Sequence, residues 1–117
     1  MPQNQPASRC HSLTELALAL RDFAAKRDWE QYHTPKNLAS ALIVEAAELL
    51  EHFQWLTQEQ SQQLPPDTKT AVAHEMADVL IYLTRLADRL NIDLLAAASE
   101  KMALNALKYP PIIPPPA

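Results

Sequence analysis

The chain has 117 residues, of which 48% are apolar and 21% are charged, and its formal net charge is −4. This length predicts one domain with a modest core, and the negative charge disfavours a nucleic-acid polymer as partner, because such partners require basic patches. The absence of glycine excludes the Gly-rich phosphate loops of P-loop and dinucleotide-binding proteins. No apolar run approaches the ~20 residues of a membrane span, so we expect no membrane partner. The single cysteine, Cys10, cannot form an intramolecular disulfide, which favours a cytoplasmic location.

The composition also indicates an all-α fold. Ala and Leu recur along the chain, and the ten prolines fall in the termini, at helix starts or in loops. Residues 1–11 are polar and contain proline, so we expect a flexible N-terminal arm. Ser12 and Glu15 then form a predicted capping box. It begins a first helix that extends to about Lys26 or Asp28 on its apolar spacing.

The next segment, residues 29–33, loses this apolar spacing and predicts a connector. Thr34 and Pro35 restart a helix, because threonine is a good N-cap and proline suits the first helical position. This second helix is predicted to end near Phe53. Residues 56–64 can hold a short helix before a proline pair breaks the chain.

After that break, the sequence predicts two further helices. Asp67 is expected to cap the third helix, which continues to about Leu90, and Asn91 is a suitable stop. Asp93 is then expected to cap a fourth helix, which extends to about Lys108.

Four principal helices in antiparallel succession predict a four-helix bundle over residues 12–109, followed by a Pro-rich extended tail at residues 110–117. The second and third helices carry apolar residues on more than one face. A helix of that kind is buried on most of its sides, and a chain this small cannot bury two of them alone. We therefore expect a homo-oligomer, either a dimer or a dimer of dimers.

Two pairs of carboxylates lie within those two helices: Glu45 with Glu48, and Glu75 with Asp78. The members of each pair are three residues apart and so share one helical face. Both pairs lie in apolar stretches with no Lys or Arg within four residues, so neither helix supplies its own counter-charge. If the two helices face each other, the oxygen-only ligands predict a hard divalent cation. Mg²⁺ is expected, with Mn²⁺ as a substitute.

From the residues alone, other roles for these acids remain open. Ion-pair networks can resemble functional clusters, so the acids can also fix the register of an assembly. A di-iron carboxylate site is disfavoured, because it needs two Glu-x-x-His motifs on different helices. The chain has one such motif, Glu30-x-x-His33, and it lies in the predicted connector.

A family resemblance rests on four segments in the family's order: RDWEQYHTPKNLA at 27–39, EAAELLEHFQW at 45–55, HEMADVLIYL at 74–83 and KMALNALKYP at 101–110. Through them the chain resembles the MazG-like all-α nucleoside triphosphate pyrophosphatases, and most closely their dCTP pyrophosphatase branch. The resemblance implies Mg²⁺-dependent hydrolysis of dCTP or 5-modified dCTP between the α- and β-phosphates. The implied products are a monophosphate and pyrophosphate, and the implied role is sanitation of the nucleotide pool.

The same resemblance implies roles for the phosphate end of the site. Glu45, Glu48, Glu75 and Asp78 match the family's Mg²⁺ ligands, and Glu48 is assigned as the base that accepts a proton from the attacking water. The residues that match phosphate-binding positions, or that can reach phosphate or sugar, are Lys101, Asn105, Lys108, Tyr109 and Tyr82. For the cations of this set, the alternative is a solvated helix end, where positive charges interact favourably with the helix dipole.

The base is implied to contact Trp29 and Trp55, since stacking on an aromatic ring contributes about 1–3 kcal/mol per base. His33, Lys36 and Asn37 adjoin Trp29 and are implied to contact the base or the sugar. Core packing is the alternative for each tryptophan, and a surface position at a helix start is the alternative for His33.

Two departures from the family pattern leave the base preference open. Leu20 falls where a polar side chain is expected in the animal members of the branch, and the loop at residues 56–66 is shortened. The rival from another functional class is a non-catalytic, oligomeric helical module that binds nucleotide or metal.

Overall fold

A computed structural model describes residues 9–113 of the protein. That part of the chain contains five α-helices and no strand: α1 Leu13–Lys26, α2 Pro35–Glu51, α3 Gln58–Ser61, α4 Pro66–Arg89 and α5 Leu94–Lys108. The predicted all-α fold is therefore confirmed, and each predicted helix is present with its ends within a few residues of those expected. The proposed flexible arm and extended tail fall largely outside the described residues. Between residues 109 and 113 the described part of the tail forms no regular structure.

Local side-chain hydrogen bonds explain why three of the helices begin where they do. Ser12 caps α1 by accepting from the backbone N–H of Glu15 at 3.1 Å, and Thr34 caps α2 by accepting from that of Asn37 at 3.2 Å. Asp93 caps α5 in the same way. The capping box predicted at α1 is incomplete, because the Glu15 carboxylate accepts from the backbone N–H of His11 rather than from that of Ser12.

The predicted cap of α4 is wrong. Pro65 occupies the N-cap position without a side-chain hydrogen bond, and Pro66 is the first helical residue. Proline suits that position because its fixed φ already matches the helix and its missing N–H would be unpaired there anyway. Asp67 consequently lies in the first turn of α4, where its negative charge still interacts favourably with the helix N-terminus.

The ends of α1 and α4 share one geometry. Asp28 and Asn91 adopt left-handed conformations with φ of 55° and 56°, which short polar side chains tolerate. After each of them the chain turns back and the next backbone N–H bonds to a carbonyl in the last helical turn, from Trp29 to Ala24 and from Ile92 to Ala87, both at 2.9 Å. This Schellman-type closure folds the connector at residues 29–33 back toward α1.

The fold is centred on α4, which packs mainly against α2 and less extensively against α1. The buried apolar side chains, Ala24, Leu38, Val72 and Ala87, come from these three helices. Among the described residues, α5 contributes no buried side chain and forms no comparable interface with another helix. Within the single chain, the fourth principal helix therefore extends away from the other three.

The shape of the chain reflects this extension. Its radius of gyration is 18.2 Å and its longest extent is 61 Å, whereas a compact domain of this length has a radius of gyration of about 13 Å. Large apolar side chains are exposed on α2, α4 and α5, for example Ile43, Met76 and Met102. Between residues 9 and 113 no helix combines the length and the apolarity that crossing a bilayer requires.

Candidate active site

The four predicted acids lie on the packed faces of α2 and α4. Glu45 and Glu48 follow the fully buried Leu38 at helical spacing, which turns them toward α4. Glu75 and Asp78 follow the buried Val72 on α4 in the same way. All four side chains are half-buried. The helices that carry the acids therefore face each other across the main interface of the fold.

Three of the four carboxylates converge on one point. An oxygen atom from each of Glu45, Glu48 and Glu75 lies within 4.8 Å of the other two. The Oε2 atoms of Glu45 and Glu75 are buried and have no hydrogen-bond partner. Asp78 lies one turn after Glu75, close enough for its charge to raise the pKa of both glutamates. In the described part of the chain, no Lys or Arg forms an ion pair with any of these acids.

The electrostatics of this acidic cluster require a positive charge or a proton. Burial raises the pKa of Glu45 to about 7 from its ordinary value of 4.5, and a hydrogen bond with Glu48 and the negative charges of the other acids act in the same direction. Burial also raises the pKa of Glu75, again with help from Glu48. Buried oxygen atoms without partners, in an all-oxygen donor set, are suited to a hard divalent cation.

Beside the acidic cluster is a mostly apolar cavity of about 320 Å³ between α1, the connector and α4. A volume of that size is typical of small-ligand pockets. The Trp29 and Phe23 rings pack edge to face at a centroid distance of 5.6 Å, and the His33 ring lies 5.8 Å from that of Trp29. The residues that line the cavity are Leu20, Phe23, Ala24, Trp29, His33, Ile81, Tyr82 and Arg85.

One face of α4 joins the cavity to the acidic cluster. Glu75, Asp78, Tyr82 and Arg85 follow one another at intervals of three or four residues and so form a single stripe. The first two belong to the acidic cluster, and the last two line the cavity. At a rise of 1.5 Å per residue, the centres of the two pairs are about 10 Å apart along the helix.

Arg85 was not predicted, although it is central to the polar contacts of this region. Its side chain is buried, with 3% of its surface exposed. It donates to His33 Nδ1 at 3.2 Å, to Glu30 Oε1 at 2.8 Å and to Asp88 at 3.4 Å. Glu30 and His33, the pair considered above as half of a di-iron motif, thus contact the same guanidinium. The signal available in the sequence was that Arg85 continues the inward stripe of Asp78 and Tyr82.

Several predicted substrate residues lie outside the cavity. Trp55 follows the end of α2 with 85% of its surface exposed, which excludes core packing in the single chain, and it does not line the cavity that contains Trp29. The Asn37 side chain donates to the backbone carbonyl of Tyr32 at 3.0 Å. Lys36 is exposed beside it. The single chain therefore does not bring the two tryptophans together.

The predicted phosphate-binding residues on and just after α5 are equally separate. They are all exposed and are not part of the acidic cluster or the cavity lining described above. Within this set, Lys108 Nζ lies 5.3 Å from the centre of the Tyr109 ring. These residues are Lys101, Asn105, Lys108 and Tyr109.

Comparison with known proteins gives concordant matches. Residues 41–112 match the MazG-like family. The chain is 48% identical over 91 residues to dCTP pyrophosphatase 1 of Mus musculus and 47% identical over 91 residues to that of Homo sapiens. Each alignment covers 76% of this chain and 54% of the relative, so the chain spans about half the length of these curated relatives. A crystal structure of a pyrophosphatase from Archaeoglobus fulgidus DSM 4304 superposes with a TM-score of 0.80 at 42% identity, covering 91% of this chain and 99% of that one.

Proposed function

The chain belongs to the MazG-like family, and we propose that it hydrolyses deoxynucleoside triphosphates between the α- and β-phosphates, releasing a monophosphate and pyrophosphate. The observation that carries this proposal is the position of the acidic cluster beside an aromatic cavity on the same face of α4. One nucleotide can then place its phosphates at the cluster and its base in the cavity. The names of the relatives, dCTP pyrophosphatase 1, support the same chemistry.

At the phosphate end, Glu45, Glu48, Glu75 and Asp78 would hold Mg²⁺, with Mn²⁺ as a substitute. A bound divalent cation supplies positive charge for the phosphates and favours the ionisation of water. Glu48 places one oxygen atom within 4.8 Å of an oxygen of Glu45 and of one of Glu75. We assign to Glu48 the acceptance of the proton from the attacking water.

At the base end, we propose that Trp29, His33 and Tyr82 contact the nucleoside. The cavity presents aromatic surface for stacking, and Tyr82 lies one turn beyond Asp78, where it can reach the sugar or the α-phosphate. Leu20 lines the cavity, so α1 contributes an apolar wall where animal members of the branch are expected to carry a polar group. We propose dCTP or 5-modified dCTP as the preferred substrate, with sanitation of the nucleotide pool as the cellular role.

The remaining substrate residues are assigned to an oligomer. We propose that Trp55 and the α5 residues of one subunit complete the site of another, because they lie outside the site of their own chain. The exposed apolar residues of α2, α4 and α5 would be buried in that assembly, either a dimer or a dimer of dimers. Lys101, Asn105, Lys108 and Tyr109 would then meet the phosphates. In this arrangement Lys36 and Asn37 stay candidates for contacts to the sugar.

The test is pyrophosphate release from a panel of ribo- and deoxynucleoside triphosphates, with and without Mg²⁺. We expect metal-dependent release, fastest with dCTP or its 5-modified forms. Glu48→Gln should abolish release, while Glu51→Gln, a change of an exposed acid in the same helix, should leave it unchanged. A folded protein that binds Mg²⁺ but releases no pyrophosphate from any nucleotide would overturn the proposal and favour the non-catalytic binding module.

A further inference from the structure

The contact between Arg85 and His33 determines which nitrogen of the histidine ring carries a proton. The Arg85 Nε–H group donates to His33 Nδ1 at 3.2 Å. A guanidinium has five N–H donors, no acceptor, and stays protonated in proteins. Nδ1 must therefore offer its lone pair to Arg85. The neutral ring then carries its proton on the other nitrogen, Nε2.

The guanidinium is held so that it cannot turn away from the ring. Arg85 donates to Glu30 at 2.8 Å and to Asp88 at 3.4 Å, and Arg89 fixes the second oxygen of Glu30 at 2.7 Å. Glu30 and His33 are three residues apart in the connector, so both are attached to the same buried group on α4. Rotation of Arg85 would break these contacts inside a buried environment, which is costly for a charged group.

The other edge of the His33 ring is available to a ligand. Within residues 9–113, Nε2 has no hydrogen-bond partner in the protein, yet it is not among the buried atoms that lack one. His33 lines the apolar cavity beside Trp29 and Tyr82. Burial lowers the pKa of His33, and so do the positive charges of Arg85 and Arg89, whereas the negative charge of Glu30 raises it. The ring is thus neutral where an unperturbed histidine begins to titrate.

We propose that Arg85 is a positioning residue for base recognition, which acts through His33 by fixing the Nε2–H form and so presenting a hydrogen-bond donor to the ligand in the cavity. The ligand must then offer an acceptor at that point, as cytosine does with its O2 and unprotonated N3. Thymine and uracil offer the same O2 acceptor but carry a proton on N3, so a contact at N3 distinguishes them from cytosine, because their N3–H group would face the donor of His33. This inference rests on the function proposed above, since it assigns the cavity to the base.

Nitrogen-15 NMR of the histidine rings in the full-length, metal-free protein tests the first step. His33 is assigned by its loss in His33→Gln, and His74, which is exposed on α4, gives the reference for a ring without this contact. We expect a neutral ring protonated at Nε2 at pH 7, and addition of dCMP should shift the Nε2 signal. A ring protonated at Nδ1 would overturn the proposal, and so would an Nε2 signal that dCMP leaves unchanged while dCMP binds.

Substitution of Arg85 tests the second step. Arg85→Met should give a mixture of the two neutral forms of His33 and raise KM for dCTP roughly tenfold, the effect of about one lost hydrogen bond, with a much smaller change in kcat. Its kcat/KM should also begin to fall at a higher pH on the acid side. Arg85→Lys retains a donor and should recover part of the loss. Arg21→Met, which removes a neighbouring cation that pairs with Asp88 and not with His33, is the matched control.

The outcomes separate this inference from the proposed function. If Arg85→Met is folded, loses the Nε2–H form and still shows an unchanged KM, Arg85 has no role in positioning. If Arg85→Met does not fold, Arg85→Lys decides the same question. If no nucleotide is hydrolysed and dCMP does not bind, the proposed function fails even where the spectrum shows the Nε2–H form, and base recognition by His33 fails with it.

Discussion

Replacement of Trp55 by alanine separates a binding role from a structural one. With 85% of its surface exposed, Trp55 adds little to the packing of its own chain, so Trp55→Ala should change the free energy of unfolding by no more than about 0.5 kcal/mol. If the ring stacks on a base, its loss should cost about 1–3 kcal/mol in the transition state. That range corresponds to a decrease of roughly 5- to 150-fold in kcat/KM. Trp29→Ala should differ, because it also removes the contact with Phe23 at 5.6 Å, worth about 0.5–1.5 kcal/mol of stability.

The assay combines kcat/KM for dCTP with thermal and urea unfolding of each variant. Ile113→Ala is the matched control, since that side chain has a similar exposure of 84% and lies in the Pro-rich tail. An unchanged kcat/KM in Trp55→Ala would refute the assignment of this ring to the base. A large loss of stability in the monomeric protein would show instead that the ring supports the fold.

Mixing an impaired variant with an inactive one then tests whether Trp55 acts on another subunit. A mixed oligomer of Trp55→Ala and Glu48→Gln chains would contain a site with Glu48 from the first and Trp55 from the second. We expect activity above that of the two separate variants on mixing, because Trp55 does not line the cavity of its own chain. No recovery, in mixtures shown by mass spectrometry to exchange subunits, would place both residues in the same chain's site.

The acidic cluster and the core give three further predictions. Because the pKa of Glu45 is raised to about 7 in the fold from an ordinary value of 4.5, the folded state holds its proton more tightly than the unfolded chain. The contribution of the Glu45 carboxyl to the free energy of unfolding of the metal-free protein is therefore fully present below pH 4.5 and is lost as the pH rises through 7. Urea unfolding in EDTA at several pH values measures this dependence, and Glu45→Gln should flatten it. Binding of Mg²⁺ near pH 6.5 should release protons, which calorimetry in buffers of different ionisation enthalpy would detect. Leu38→Ala should cost about 2–5 kcal/mol of stability, since Leu38 is 1% exposed, whereas Leu50→Ala on the exposed side of α2 should cost much less.

These predictions fail in distinct ways. A metal-free stability that rises between pH 5 and 8 would mean that another group dominates, and an identical slope in Glu45→Gln would exclude this carboxyl as its source. Metal binding without proton release at pH 6.5 would contradict the raised pKa. Equal losses at Leu38 and Leu50 would contradict the difference expected from the single chain and would show that the proposed assembly buries Leu50 as well.

The parts of the fold that were predictable from the sequence depend on near neighbours in the chain. Ser12, Thr34 and Asp93 each cap a helix through a backbone N–H three residues away, so the pattern itself contains the interaction. The acid pairs were recognisable for the same reason, because residues three apart share a face. The cap of α4 was misjudged because Pro65 and Asp67 are both compatible with a helix start. Pro66 occupies the first helical position, so the helix begins before Asp67.

What the sequence could not predict involves distant partners. Arg85 contacts a connector 52 to 55 residues away, and no local pattern indicates that an arginine in a helix will be buried by such contacts. The spacing of apolar residues in α5 predicts a helix, but it does not predict which surface its apolar side chains pack against. Trp55 illustrates the converse, since tryptophan is usually well buried and here the ring is exposed in the single chain.

The unbroken helix α4 has a consequence for what the site can accept. Because Asp78 and Tyr82 belong to one continuous rod, the acidic end and the aromatic end cannot move closer together or further apart. A compound can engage both ends at once only if its length matches the interval between them, and shorter compounds must choose one end. Insertion of a single residue between Asp78 and Tyr82 would turn the two ends about 100° out of line, leaving each intact but unable to serve the same molecule. Under the proposed function, the helix would therefore select its ligands by length before any base is read.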